Sequence, residues 1–141
     1  MTIFFSASSD VSDEVKNEYK KIIDSLIGAG YSVSQSIFND ITRRKLVNEN
    51  DFVFVYDDVL KKIDNADILL ADISFPSGGV GYQIYHAVFQ RKPVVIIYKK
   101  DGKTNPSVII RGIKSKKVAI IGYENNNDLE KVMLEAVAKA C

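Results

Sequence analysis

A parallel α/β three-layer sandwich is the fold predicted by this chain of 141 residues. Short apolar runs of strand character alternate with stretches whose apolar residues recur at three and four, the spacing of one helix face. The stretch ADILLADISFPSGGVGYQIYHAVFQRKPVVIIY, residues 66–98, reads as strand, tight loop, helix, strand. That is a βαβ unit, whose crossover is right-handed almost without exception. A similar β-loop-α-β pattern opens the chain. In both units the first loop is made of small residues, and such loops sit at the carboxyl edge of the sheet, where ligands of open α/β folds bind. The length suits a single domain spanning residues 1–141.

Thr2-Ile3-Phe4-Phe5 is the first short apolar strand, and Ser6-Ala7-Ser8-Ser9-Asp10 is the loop after it. Ser12 is placed to cap a helix, with Asp13 and Glu14 favourable in its first turn. Val15, Tyr19, Ile22, Ile23 and Leu26 form its apolar face, and Gly28 and Gly30 end it. Tyr31-Ser32-Val33-Ser34 alternates in character, as a strand near a sheet edge does. Residues 35–50, including ITRRKLVNEN, leave both a partial helix and an irregular excursion open. From 51 to 63, Phe52, Val55, Tyr56, Val59 and Ile63 recur at helical spacing. Ile68-Leu69-Leu70-Ala71 is the central strand, apolar throughout because both its faces are to be buried. The turn residues Ser74 to Gly79 precede a helix carrying Val80, Ile84, Ala87 and Val88. Val94 to Tyr98 is a fourth strand, Ser107 caps a short turn through Ile110, and Lys117 to Ile121 is the fifth strand. A last helix is expected with Asp128 as its cap and Leu129, Val132, Met133, Ala136 and Val137 inward.

The composition is that of an ordinary globular protein, 46% hydrophobic and 26% charged. Nineteen basic against 18 acidic residues leave a net charge of +1, without the basic excess of a nucleic-acid binder. No apolar stretch approaches a membrane span, so neither nucleic acid nor membrane is an expected partner. The single cysteine, Cys141, can form no internal disulfide, and MTIFFSASSD lacks the basic start of a signal peptide. A cytoplasmic protein is expected.

The loop from Ser74 to Gly81 is the strongest site candidate. Gly79 and Gly81 allow a ligand close to the backbone, Ser77 supplies a hydroxyl, and a helix N-terminus attracts an anion. A lone glycine loop more often serves only as a turn. The second small-residue loop, Ser6 to Ser9, tips the balance towards a shared phosphate or sugar site. Asp72, at the carboxyl end of the central strand, is either a catalytic carboxylate or the cap of the next turn. Asp57 and Asp58 read as solvated charges on a helix, and the only histidine, His86, as a packed or surface residue. With one histidine and no cysteine cluster, neither a metal nor another cofactor is expected.

PSGGVGYQI, preceded by ADILLADIS and followed by AVFQRKPVVIIY, resembles the nucleoside 2-deoxyribosyltransferase superfamily, on its branch of 2′-deoxynucleoside 5′-phosphate N-hydrolases. There the pattern is A-D, an apolar strand, A-E-V/I-S, then P-S-x-G-V-G-Y-E. TIFFSAS and PSVIIRG, residues 106–112, resemble further segments of that family. The resemblance implies a flavodoxin-like sheet, a homodimer or dimer-based oligomer with composite sites, and cleavage of a nucleotide's N-glycosidic bond. Carried over by position, it implies that Ser8, Ser77 and a second copy's Ser107 hold a 5′-phosphate, with Phe4 near the sugar. Ser6, Ala7, Ser74 and Pro76 complete the two loops, with Gly79 and Gly81. The family's glutamate nucleophile is replaced by Gln83, its upstream aspartate by Val59 with Asp58 beside it, and a phosphate-supporting arginine by Asp10. Three readings of Gln83 compete. It is a substitution that traps a substrate, or it marks a natural nucleotide-binding protein that senses or sequesters without cleaving, or another carboxylate such as Asp72 has taken over.

Overall fold

The computed structural model describes residues 1–35 and 48–140. The open reading of residues 36–47, and Cys141, lie outside the described residues. Five parallel strands form one sheet: β1 (Thr2–Ser6), β2 (Ser32–Gln35), β3 (Ile68–Asp72), β4 (Val94–Lys99) and β5 (Val118–Tyr123), in the flavodoxin-like order β2-β1-β3-β4-β5. The register sets Phe4 opposite Leu69 and Ser6 opposite Ala71, so β1 and β3 end together at the carboxyl edge. Helices α1 (Asp13–Gly28) and α5 (Asn126–Ala140) cover one face. Helices α2 (Glu49–Asn65) and α3 (Gly78–Phe89), with the short turn α4 (Val108–Arg111), cover the other.

Strand alternation decides what each face receives. Ile3, Phe5, Ile68, Leu70, Val95 and Ile97 pack with Ile22, Leu26 and Met133 against α1 and α5. Phe4, Leu69, Ala71, Val94 and Ile96 pack with Val59, Ile63, Val80 and Ile84 against α2 and α3. Each buried branched side chain contributes about 1.5–3 kcal/mol relative to exposure. β3 is buried at every position, which is why Ile68 to Ala71 are apolar throughout; Asp72 is its one polar residue. β2 is mixed because it stands at one edge of the sheet.

The caps follow elementary chemistry. The side chains of Ser12, Ser77 and Ser107 accept backbone N–H groups of Val15, Val80 and Ile110 at the starts of α1, α3 and α4. Asn48, unanticipated, does the same for α2 through Asp51 N–H, so that helix begins at Glu49. The expected cap Asp128 lies inside α5: Asn125 Oδ1 accepts its N–H at 3.0 Å and Asn125 Nδ2 donates to its carboxylate. An asparagine three residues earlier serves as well as an aspartate at a helix start, and nothing local separates the two. Among the described residues no helix is long and apolar enough to cross a membrane.

Candidate active site between the first and third strands

The chain reverses its direction of travel across the sheet between β1 and β3, and the loops after both strands meet there. The Ser8 hydroxyl, almost fully buried, donates to the Pro76 carbonyl at 3.4 Å and so ties the loops together. Asp10 N–H donates back to Ser8 Oγ, also at 3.4 Å. Ser77 opens α3: its Oγ accepts Val80 N–H at 3.2 Å and its carbonyl accepts Gly81 N–H at 3.2 Å. Accepting through oxygen leaves the Ser77 hydroxyl proton free to donate. The N–H groups of Gly78 and Gly79 precede the first paired turn, as at any helix start.

Gln83 sits one turn further along α3. Ser6, on the α2/α3 side of β1, donates its hydroxyl to Gln83 Oε1 at 2.5 Å. That bond spans 77 residues of sequence and orients the amide. With one lone pair of Oε1 taken, the other lone pair and the Nε2 hydrogens are left for a ligand.

Two clefts open on this edge. The polar one, about 440 Å³, is lined by Ala7, Ser8, Asp10, Pro76, Ser77 and Gly78 along the loops. The apolar one, about 320 Å³, is lined by Phe52, Tyr56, Leu60 and Tyr82 from α2 and α3. Val55, Val59, Gly79 and Gln83 line both, so the clefts share a wall and Gln83 stands where they join.

The other candidate residues fall elsewhere. Phe4 is fully buried beneath Ser6 on the same face of β1, so its ring presents no surface to a ligand. Ser74 is buried too; its Oγ accepts Lys99 N–H at 2.9 Å and locks the loop to β4. Gly81 faces α4, where an added Cβ would stand 3.9 Å from Ile110. Asp58 pairs with Lys62 at 2.9 Å along α2 and lines neither cleft. Ser107 caps α4 and lines neither cleft of its own chain.

Asp72 is the most informative displacement. Two residues on from Leu70, its side chain turns to the α1/α5 face, across the sheet from Gln83. Its Oδ1 accepts Ser74 N–H at 2.8 Å, and Tyr123 donates its phenol to Oδ2 at 3.4 Å. Burial pushes its carboxyl above the ordinary range, against the opposing pull of the Ser74 bonds and the Lys99 charge. Burial and the Asp72 charge likewise push the phenols of Tyr19 and Tyr123 up. Asp72 thus caps the turn, on the sheet face opposite Gln83. Tyr56 was read from the sequence only as part of an apolar helix face, and Tyr82, off the apolar face of its own helix, was not singled out.

No protein-family model matches the chain. The 5-hydroxymethyl-dUMP N-hydrolase of Branchiostoma floridae is 30% identical over 71 residues, which span 50% of this chain and 68% of that protein. A Thermofilum pendens protein with the provisional name 2′-deoxynucleoside 5′-phosphate N-hydrolase 1 is 25% identical over 126 residues, 89% of this chain and 87% of the relative. Among solved structures, the CMP N-glycosidase of Clostridium botulinum superposes with a TM-score of 0.68 at 18% identity, covering 94% of this chain and 98% of the other. The 2-deoxyribosyltransferase of Bacillus psychrosaccharolyticus gives 0.63 at 18% identity, covering 92% and 90%. The two structures share the fold.

Proposed function

Because the chain belongs to the nucleoside 2-deoxyribosyltransferase superfamily, on the branch of the 2′-deoxynucleoside 5′-phosphate N-hydrolases, we propose that it binds a nucleoside phosphate at the β1–β3 edge and cleaves its N-glycosidic bond only slowly. The observation that carries this reading is Gln83, held by Ser6 at the junction of a polar and an apolar cleft. The 5′-phosphate lies in the polar cleft, against the Ser77 hydroxyl, the Ser8 loop and the first N–H groups of α3. The sugar lies beside Gln83. A carboxylate there stabilises or attacks a cationic C1′, whereas a neutral amide only donates and accepts hydrogen bonds. Binding therefore survives where chemistry is weak. The homodimer belongs to the same reading: a second copy brings Ser107 to the phosphate end of the cleft.

The test compares the chain with Gln83→Glu for release of free base from 2′-deoxy- and ribonucleoside 5′-monophosphates, followed by chromatography. A carboxylate at this position is expected to raise the rate by about 10²-fold or more. No gain, with nucleotides bound tightly by both proteins, would replace slow cleavage by binding alone. No binding by either would end the nucleotide reading.

A further inference from the structure

The apolar cleft ends in a feature that phosphate and sugar do not use. Tyr56 on α2 and Tyr82 on α3 meet hydroxyl to hydroxyl at 2.8 Å, with ring centroids 5.9 Å apart and the planes tilted by 56°. Both side chains are about half exposed, 48% and 49%, so they stand at a rim open to solvent. Behind them the walls are Phe52, Val55 and Leu60, and among the described residues no charged side chain lines the cleft. The slot adjoins the polar cleft, with Gln83 and Gly79 lining both.

We propose that the Tyr56–Tyr82 hydroxyl pair reads the hydrogen-bonding edge of a nucleobase seated in the apolar cleft, and that these two residues select the base. The inference rests on the nucleotide reading above. A phenol both donates and accepts. Once one hydroxyl of the pair donates to the other, the donor's oxygen still accepts and the acceptor's proton is still free. Either phenol can be the donor of this bond. Whichever way the bond runs, the rim offers one acceptor and one free donor, side by side. Neighbouring donor and acceptor atoms on the edge of a heterocyclic base match that pair, while its faces meet Phe52, Val55 and Leu60. A purely apolar ring would gain the walls and forfeit the rim. The remaining role for the pair is to tie α2 to α3, and it makes a different prediction: loss of a tie weakens every ligand alike.

Calorimetry on the full chain separates the two. The probes are 2-deoxyribose 5-phosphate, which has no base, the four common 2′-deoxynucleoside 5′-monophosphates, and the difluorotoluene nucleotide, which has thymine's shape without its donor and acceptors. The wild-type protein is expected to bind at least one natural nucleotide about tenfold or more tighter than the sugar phosphate. Tyr56→Phe and Tyr82→Phe are each expected to weaken that nucleotide by about three- to tenfold, the range of one neutral hydrogen bond. Neither change should move the sugar phosphate or the difluorotoluene nucleotide. If nucleotides bind no better than the sugar phosphate, or if both variants weaken all probes equally, base reading by the pair is overturned and the phosphate site stands. If no probe binds the wild-type protein, the nucleotide reading fails and takes this inference with it.

Discussion

Asp72 shows how much the direction of one side chain decides. The family-like carboxylate of the central strand is retained, yet it faces the α1/α5 side and holds Ser74 N–H, away from Gln83. Burial raises its carboxyl in the folded chain, so the folded state holds this proton more tightly than the unfolded one. From the ordinary value of about 3.9 upwards, stability therefore falls as pH rises, until the raised folded value is passed and the full cost is present. Asp72→Asn keeps an oxygen for Ser74 N–H and removes the charge. Its unfolding midpoint is expected to equal or exceed that of the wild-type protein near pH 7, with the difference shrinking towards pH 4. Thermal unfolding across that range checks it, and a variant less stable at neutral pH would mean that the Lys99 charge and the hydrogen bonds outweigh burial. The amide at Gln83, where the family resemblance implies a glutamate, is the other decisive residue-scale feature, and base release by Gln83→Glu measures it.

At the scale of elements, the question is whether the glycine loop before α3 is only a turn. Gly78, Gly79 and Gly81 are not among the glycines with positive φ, which are Gly30 and Gly102. A Cβ at Gly79 would meet nothing closer than Ser77 Oγ at 3.8 Å, an ordinary contact. The backbone therefore tolerates alanine, which favours a helix over glycine by up to about 1 kcal/mol. Yet Gly79 lines both clefts. Gly79→Ala is expected to match or exceed the wild-type melting midpoint while binding nucleotide more weakly, because its methyl enters the space a ligand needs. Calorimetry alongside thermal unfolding reads both quantities. Unchanged affinity would return the loop to the role of a connector. α3 and α2 are also joined at the far end, where His86 Nε2 lies 2.7 Å from Asp64 and Gln90 donates to the same oxygen. The lone histidine is a partner of that carboxylate at the opposite end of α3 from Ser77.

For the whole molecule, the apolar surface left uncovered argues for a second copy. Tyr85 and Phe89 stack on the outer side of α3, and Val108 and Ile109 of α4 are among the most exposed apolar residues, Ile109 at 83%. A homodimer joined over this surface is expected at micromolar concentration. Phe89→Glu with Ile109→Asp should convert it to a monomer and weaken nucleotide binding, since Ser107 begins the same turn. Light scattering with calorimetry tests both parts. A wild-type monomer that binds nucleotide fully would remove the composite site.

The elements and the parallel sheet were legible in the sequence because their causes are local: an apolar run for β3, serine caps at Ser12, Ser77 and Ser107, helical spacing in α1, α2 and α3. The motif from Ala66 to Tyr98 also located the loop edge, since β1 and β3 are neighbours in this fold and their loops emerge together. The cap of α5 was misread by three residues, where asparagine and aspartate compete on equal terms. What only the tertiary structure decided depends on depth and on which helices cover which face. Phe4 is sealed in the core, while Ser6 two residues on, itself almost fully buried, meets Gln83. Asp72 turns to the opposite layer, and Ser6 finds Gln83 across 77 residues. Tyr56 reads as a core-facing position and Tyr82 carries no signal until two helices bring their hydroxyls within 2.8 Å. Hydrophobic periodicity records whether a residue faces inward, but the partner it meets there is fixed by packing between segments far apart in the chain.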